Sequence, residues 1–464
     1  MRKFFGLIIN EYVKILCKIS TKIMLAAILV VALGFNFLMY FGFEIMGNYN
    51  YGYWSESYDD EIRRIESEIQ RIEKNGESWE GELESYKQSL EIAKYSKENG
   101  IDESWNTPGA WRRDAVGILF WGEEYDEALD AAIKNNDWKA YYRIQIANNK
   151  ETGLSDPETE NYIWALQYKI DNDVDPAHWK NEVINNIAMY KTQLSANYAN
   201  VKETDESYGE KVKIQNNLAV ADYRLEHNLE RYTYDGIGSI ENMSEKPGFW
   251  EIFGLSTSTI SIISVLIIVI AGSLLSSEFS AGTVKFLLIN PVKRWKIFVA
   301  KYASVISITL VSVFILYLFN TLFAGIFFGF GNFGAPYLSA ENGVVQVGSS
   351  FGYIAWKYLL GSVGMMCMAT FAFAISSLVR NSALSIGLGV FLSFTGSTVV
   401  SILGLLGIYQ AKYILFANTD INAVLSGATL FVNHTLGFAL INIAVYMTVF
   451  LWTAWDAFVR SDVK

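Results

Sequence analysis

Glu278, Lys293, Arg294, Lys296 and Lys301 crowd one short stretch between two apolar runs, 253–276 and 302–325. This carboxylate and these cations can cap helix amides, pair with each other, hold lipid phosphate or grip a partner protein. Between them Gly282-Thr283 bends the chain, 284–289 forms a short amphipathic piece and Asn290-Pro291 stops it. A plain loop between two apolar runs needs no such pattern. The segment 278–297 reads as a docking helix lying flat under a membrane. Glu278 stands at its start, where a carboxylate caps helix amides. Its functional reading is a pair with a basic residue of this chain or of a partner, passing on motion. Arg294 either holds lipid phosphate and orients the next run, or touches the partner. Gly282 and Pro291 shape the segment.

Other chemistry is missing from the string. No G-x-x-x-x-G-K-[ST] phosphate loop, H-E-x-x-H or C-x-x-C occurs. Three histidines, His178, His227 and His434, are scattered, and the two cysteines, Cys17 and Cys367, lie outside the polar part of the chain. The chain is therefore read as non-catalytic, with no cofactor or metal of its own and no nucleic-acid partner. Acids and bases are nearly absent from the middle of the apolar runs, where a proton- or ion-coupled carrier keeps them. Lys357 stands near one end of a run, where it can snorkel, and Asp456 at the end of another.

The elements that must position the charged stretch follow from composition. Residues 44–248 hold 41 acidic against 22 basic side chains, and the remainder 7 against 15. An acidic insert sits inside a slightly basic, apolar frame. The frame contains six runs long enough to cross a bilayer: 23–43, 253–276, 302–325, 354–378, 383–407 and 436–455. Inside lipid such runs must be helical. The first is too long, and its charged lead-in too extended, for a cleaved signal. Lysine and arginine gather at 1–22, at 278–301, at Arg380 and in the tail 456–464. The positive-inside rule then places both termini and the docking segment in the cytoplasm, and the insert 44–248 and the loop 326–353 outside. The expectation is an all-α polytopic protein of the cell membrane with six transmembrane helices, an N-terminal interfacial helix and a mostly α-helical extracellular domain.

Residues 1–22 carry apolar and charged side chains at helical spacing, with Glu11 and Lys14 on the wet face, as in a helix lying along the inner leaflet. In the insert, Ile62, Ile65, Ile69 and Ile72 make a helical stripe, and Leu83, Tyr86, Leu90 and Ala93 a second one after Asn75-Gly76. A projecting hairpin is expected. The strings 167–174 and 222–229 match class by class, with Tyr142-Arg143-Ile144 as a weaker echo, suggesting duplicated hairpins. Eight tryptophans in the insert read first as core packing and second as a ligand face. Trp250 suits an interface belt. Ser256, Thr257, Ser258, Thr259 and Ser261 can hydrogen-bond between spans, and paired glycines such as Gly361 and Gly364 permit close helix contact.

Glu278, Gly282, Thr283, Leu287, Pro291 and Arg294 resemble the E-x-x-x-G-T-x-x-x-L-x-x-P-x-x-R signature of ABC-2-type transporter permeases, with Pro291 one position late. The resemblance implies that 278–297 is a coupling helix receiving the stroke of a separate ATPase subunit, which would hold the ATP and magnesium. It implies that residues 1–22, with Glu11 and Lys14, also meet that subunit. It further implies a second permease chain, identical or related. The expected activity is export of an apolar or amphipathic substrate, a peptide, drug or lipid, with an extracellular peptide among the ligands. The alternative is a sensing or mechanotransmission protein whose outer domain acts on a peptide or cell-wall partner without transport.

Overall fold

A computed structural model of the chain describes residues 9, 12–14, 17, 19–54, 57–75, 81–101, 109–122, 125–205, 207–234, 248–280, 293–331, 334–379, 381–426, 428–431 and 433–460. The protein is an all-α polytopic membrane protein, with six helices among the described residues long and apolar enough to cross a bilayer. Span one is α1 (Ile19–Trp54). It runs without a break through the junction expected at 22–23 and through the aromatic lead-in 49–54.

A row of helices follows: α2 (Tyr58–Asn75), α3 (Glu82–Glu98), α4 (Trp111–Trp121), α5 (Glu127–Lys134), α6 (Trp138–Glu151), α7 (Pro157–Asp171), α8 (Trp179–Ala196) and α9 (Tyr208–Glu226). Each packs chiefly on its neighbours in the chain. The isoleucine stripe does form the expected hairpin: Ile62, Ile65 and Ile69 of α2 meet Tyr86, Leu90 and Ala93 of α3. Lys94–Glu66 (3.0 Å) and Lys97–Asp59 (2.5 Å) bridge its rim. Further along, Trp111 stacks on Tyr141 at 5.0 Å within an apolar cluster.

The helix ends are written locally. Asp126, Asp137 and Asp156 accept amide hydrogens at the starts of α5, α6 and α7. After the last turns of α5, α7 and α9, Asn136, Asp173 and Asn228 take left-handed backbone. The next residue's N–H then bonds the carbonyl five positions back: Asp137 to Ala132, Val174 to Lys169, Leu229 to Arg224. This explains the matched strings 167–174 and 222–229, each of which is a helix end with its left-handed stop. Tyr142-Arg143-Ile144 lies inside α6 and stops nothing, so the third echo is not a repeat.

Span two begins as α10 (Phe249–Leu255) and passes through a 3-10 turn at Ser256–Ser258. It continues as α11 (Thr259–Leu274) and ends in the short α12 (Ser276–Ser280). Four consecutive hydroxyls cause the first irregularity. Ser256, Thr257, Ser258 and Thr259 each donate to the carbonyl three residues earlier. Span three is α13 (Arg294–Phe328). It starts well before residue 302, so Arg294, Lys296 and Lys301 belong to the span rather than to a docking segment.

Where a loop was expected at 326–353, β2 (Pro336–Glu341) and β3 (Val344–Ser349) pair antiparallel, and β1 (Thr233–Tyr234) joins β2 in parallel. The turn is Asn342-Gly343, both at positive φ, the conformation a two-residue hairpin needs. That Asn-Gly pair was the available sequence signal. Helix α9 rests on β2 and β3. Span four, α14 (Ser350–Val379), starts where β3 stops and is the most enclosed helix. Span five is α15 (Ser382–Leu405) and span six starts as α17 (Leu436–Trp455), continuing in a π-helical turn to Arg460.

Between spans five and six the chain dips back into the bundle through two 3-10 turns and α16 (Ile421–Leu425). The glycines explain how. A Cβ on Gly364 would overlap the Thr419 carbonyl, and one on Gly396 the Phe416 ring. These two glycines admit the re-entrant segment, whereas Gly389 faces Ile268 of span two.

Candidate functional site

The side of the bundle opposite the helical domain carries the charged site. Span two breaks at Leu275, and a helix break in an apolar bundle leaves amide donors to be satisfied. Ser376 of span four does so. Its Oγ accepts from the N–H of Leu275 (3.1 Å) and of Ser276 (2.9 Å). The start of α12 is thus capped by another span. Ser276 adds a bond from its own hydroxyl to the Gly272 carbonyl at 2.7 Å.

Two residues beyond the cap, Glu278 meets Lys301 of span three, Nζ to Oε1 2.6 Å. The Lys301 side chain is 1% exposed and that of Glu278 18%. Glu278 lies inside α12, whose start Ser376 already caps, and its carboxylate turns to a buried ammonium of its own chain. The pair corrects the impression that charge stays out of the spans, since Lys301 sits nearly two turns inside α13. At close range and out of water, such a pair is directional and strong once both ions are held.

Arg294 stands in the first turn of α13. Gly282, Thr283, Leu287 and Pro291 lie in 281–292 and, like Glu11, fall outside the described residues. Lys14 is helical and exposed. Of the expected site residues, the structure therefore places Glu278 against span three and Arg294 at that span's start. Asp456 pairs with Arg460 at 3.1 Å on the same side.

A second polar cluster, on the helical-domain side, joins four spans. Asn320 of span three donates to Tyr358 Oη (2.9 Å) and Thr259 Oγ1 (3.2 Å), and its Oδ1 accepts from Asn36 of span one at 3.0 Å. Ser256 and Tyr358 share a hydrogen bond of 2.7 Å. Bonding between spans by the Ser256–Thr259 hydroxyls is thus present, but it runs through Asn36, Asn320 and Tyr358. Sequence reading missed these three; a lone amide inside each of two apolar runs was the signal. Trp250 is 5% exposed and packs on Phe351 at 4.6 Å, so it is a core side chain rather than an interface anchor.

A deeply buried cation of the helical domain is Lys169, 3% exposed, with Nζ 2.6 Å from Asn185 Oδ1. Burial pulls its pKa down to about 8. Trp111 is core, whereas Trp121 is 56% exposed. Among the described residues no three His, Cys, Asp or Glu side chains come together to hold a metal ion.

A family profile described as "Protein of unknown function (DUF2705)" matches residues 237–464, which begin after α9 and take in spans two to six. The chain is similar to "Uncharacterized protein YhcI" of Bacillus subtilis (strain 168), 33% identical over 277 residues, 59% of this chain and 84% of that protein. It is similar to "Uncharacterized membrane protein YdbK" of the same strain, 31% identical over 204 residues, 44% of this chain and 78% of that protein. No solved structure matches the chain. With a third of positions identical over most of each relative's length, the chain belongs to the protein family of YhcI and YdbK.

Proposed function

We propose that this chain is the membrane-spanning subunit of an ATP-driven exporter of the ABC-2 type. It would sit in the cell membrane with both termini and 281–292 in the cytoplasm and the helical domain outside. The observation that carries the reading is the buried Glu278–Lys301 pair at the end of the capped span-two break. It anchors to span three the segment that bears the signature residues. A force applied to 281–292 would reach spans two and three through that anchor and through the covalent start of α13 at Arg294. The lysine and arginine bias supports the orientation. ATP hydrolysis, with its magnesium, belongs in this reading to a separate nucleotide-binding subunit. Because such an engine works as a pair, a second permease chain belongs to it as well. The substrate class is apolar or amphipathic, a peptide, drug or lipid.

Purification of the full chain from its own membranes tests this. A P-loop ATPase should co-purify, and its hydrolysis should lose dependence on the permease in Glu278→Ala and Arg294→Ala. Recovery of the chain without any nucleotide hydrolase would sink the proposal, as would labelling of a cysteine at 287 by a reagent that cannot cross the membrane.

A second reading is favoured by one observation. The helical domain is joined by the β1–β2–β3 sheet directly to span four. Such a joint suits mechanotransmission, in which ATP-driven motion moves the outer domain against a peptide or cell-wall partner. Substrate accumulation in vesicles separates the two readings.

A further inference from the structure

We infer that span four is a strut that ties the state of the helical domain to the geometry of the break after span two, with Ser376 as its positioning residue. This goes beyond the proposed export activity and needs no ATPase to be tested.

The end of the strut next to the helical domain is fixed in three ways. β3 ends at Ser349 and α14 begins at Ser350, so strand and helix are one continuous piece of backbone. Ser350 is 2% exposed; its Oγ lies 2.6 Å from Thr233 Oγ1 of β1 and 2.7 Å from the Ala335 carbonyl. The Tyr337 ring of β2 stacks on Tyr353, one turn into the span, at 3.8 Å and 10°. The helical domain grips this assembly from above, where Asn216 of α9 accepts the Gly343 N–H of the hairpin turn at 2.9 Å. The domain cannot shift without breaking these bonds or moving the top of span four.

The far end is fixed as firmly. From Ser350 to Ser376 an unbroken helix rises about 39 Å, at 1.5 Å per residue. There the Ser376 hydroxyl takes both amide hydrogens of the span-two break, and the neighbouring Ser377 Oγ donates to the Ala454 carbonyl of span six at 3.0 Å. If span four tilts or slides, the Leu275 and Ser276 amides either follow Ser376 or lose their acceptor inside an apolar bundle, which is unfavourable. The break, and Glu278 two residues on, therefore moves with the strut. Partway down, the Thr419 carbonyl lies against Gly364, which makes the re-entrant segment a natural pivot.

Hydrogen exchange by mass spectrometry on the full chain in lipid nanodiscs tests the inference. The double variant Asn216→Ala, Thr233→Val loosens the helical domain from the hairpin and leaves the opposite side of the bundle untouched. Exchange of a peptide spanning 272–280 should then rise about three- to tenfold, as expected for losing one or two hydrogen bonds' worth of protection. Ser376→Ala should raise the same peptide at least as much. Ser376→Thr keeps a hydroxyl and should restore protection, which a general packing defect would not do. If the double variant speeds exchange at 336–349 but leaves 272–280 at the wild-type rate, the strut does not exist. Equal exchange in Ser376→Ala and wild type would remove Ser376 from it.

Discussion

The helical domain and the membrane bundle are both built of helices, yet they are held by different means. In the domain each helix meets its neighbour in sequence; three start on an aspartate cap of their own, and three end on an Asn or Asp with left-handed backbone. In the bundle, helix irregularities are satisfied by distant residues. Ser376 caps the break of span two from a hundred positions away, and Asn320 joins three other spans. Water explains the contrast. A helix end in water has a solvent alternative, so a local cap adds only a modest preference. A helix break in lipid has none, so a partner span must supply the missing acceptor. Tertiary contacts should therefore carry much larger penalties in the bundle than local ones do in the domain.

The largest effect is expected at Gly364. Alanine there would overlap the backbone carbonyl of Thr419, which no rotamer change relieves, and should cost at least about 3 kcal/mol. Gly387→Ala, with nothing within 4 Å of the added Cβ, should stay within about 0.5 kcal/mol of wild type. Thermal unfolding of both variants in detergent checks the difference; equal stabilities would show that the re-entrant segment does not pack as described.

Next comes the buried ion pair. Lys301→Met removes the cation facing Glu278 and should destabilise the bundle by about 3 kcal/mol, because a largely enclosed carboxylate loses its close ammonium and gains only partial hydration in return. Adding Glu278→Gln should recover most of the loss. A double variant no better than Lys301→Met would mean that shape, not charge, matters there.

Lys169 extends the comparison to charge burial in the domain. Its folded pKa is about 8 against roughly 10.4 for a free lysine. Between about pH 8 and pH 10 the unfolded chain then binds more protons, so protection of α7 and α8 rises with pH. Below about pH 8 the full penalty of burying the cation is present. Lys169→Met should stabilise these helices by about 1–2 kcal/mol near pH 7 and lose that advantage toward pH 9.5, read by hydrogen exchange of 165–190. A pH-independent gap would assign the effect to packing.

The smallest effect is local. Asp137→Ala removes the acceptor of the Ala140 N–H at 3.0 Å and should fray the first turn of α6 by about 1 kcal/mol, with the bundle unchanged. A loss comparable to that at Lys301 would erase the distinction between the two regions.

Much of the fold was legible in the residues. The six apolar runs coincide with six helices, and the Ile62–Ile65–Ile69 stripe meets its partner helix. Glu278 was legible as a residue of consequence, though not as the partner of Lys301. Periodicity reveals which face of a helix is apolar, but not which span lies against it. Span three looked shorter because its charged first turns, from Arg294 to Lys301, resemble a loop until their burial is known. The hairpin was signalled by Asn342-Gly343, but two six-residue strands next to a span carry little weight against so much helix.

The sequence by itself determined where the chain must become helical in lipid, where the acidic domain is inserted, and how several helices of that domain start or stop. All of these follow from composition, period and caps within a few residues. The tertiary structure alone decided that Lys301 is buried against Glu278, that Ser376 closes the break in span two, and that Gly364 and Gly396 admit a re-entrant segment. Each depends on two residues far apart in the chain arriving at one place, and nothing within a short stretch of residues encodes which distant partner arrives.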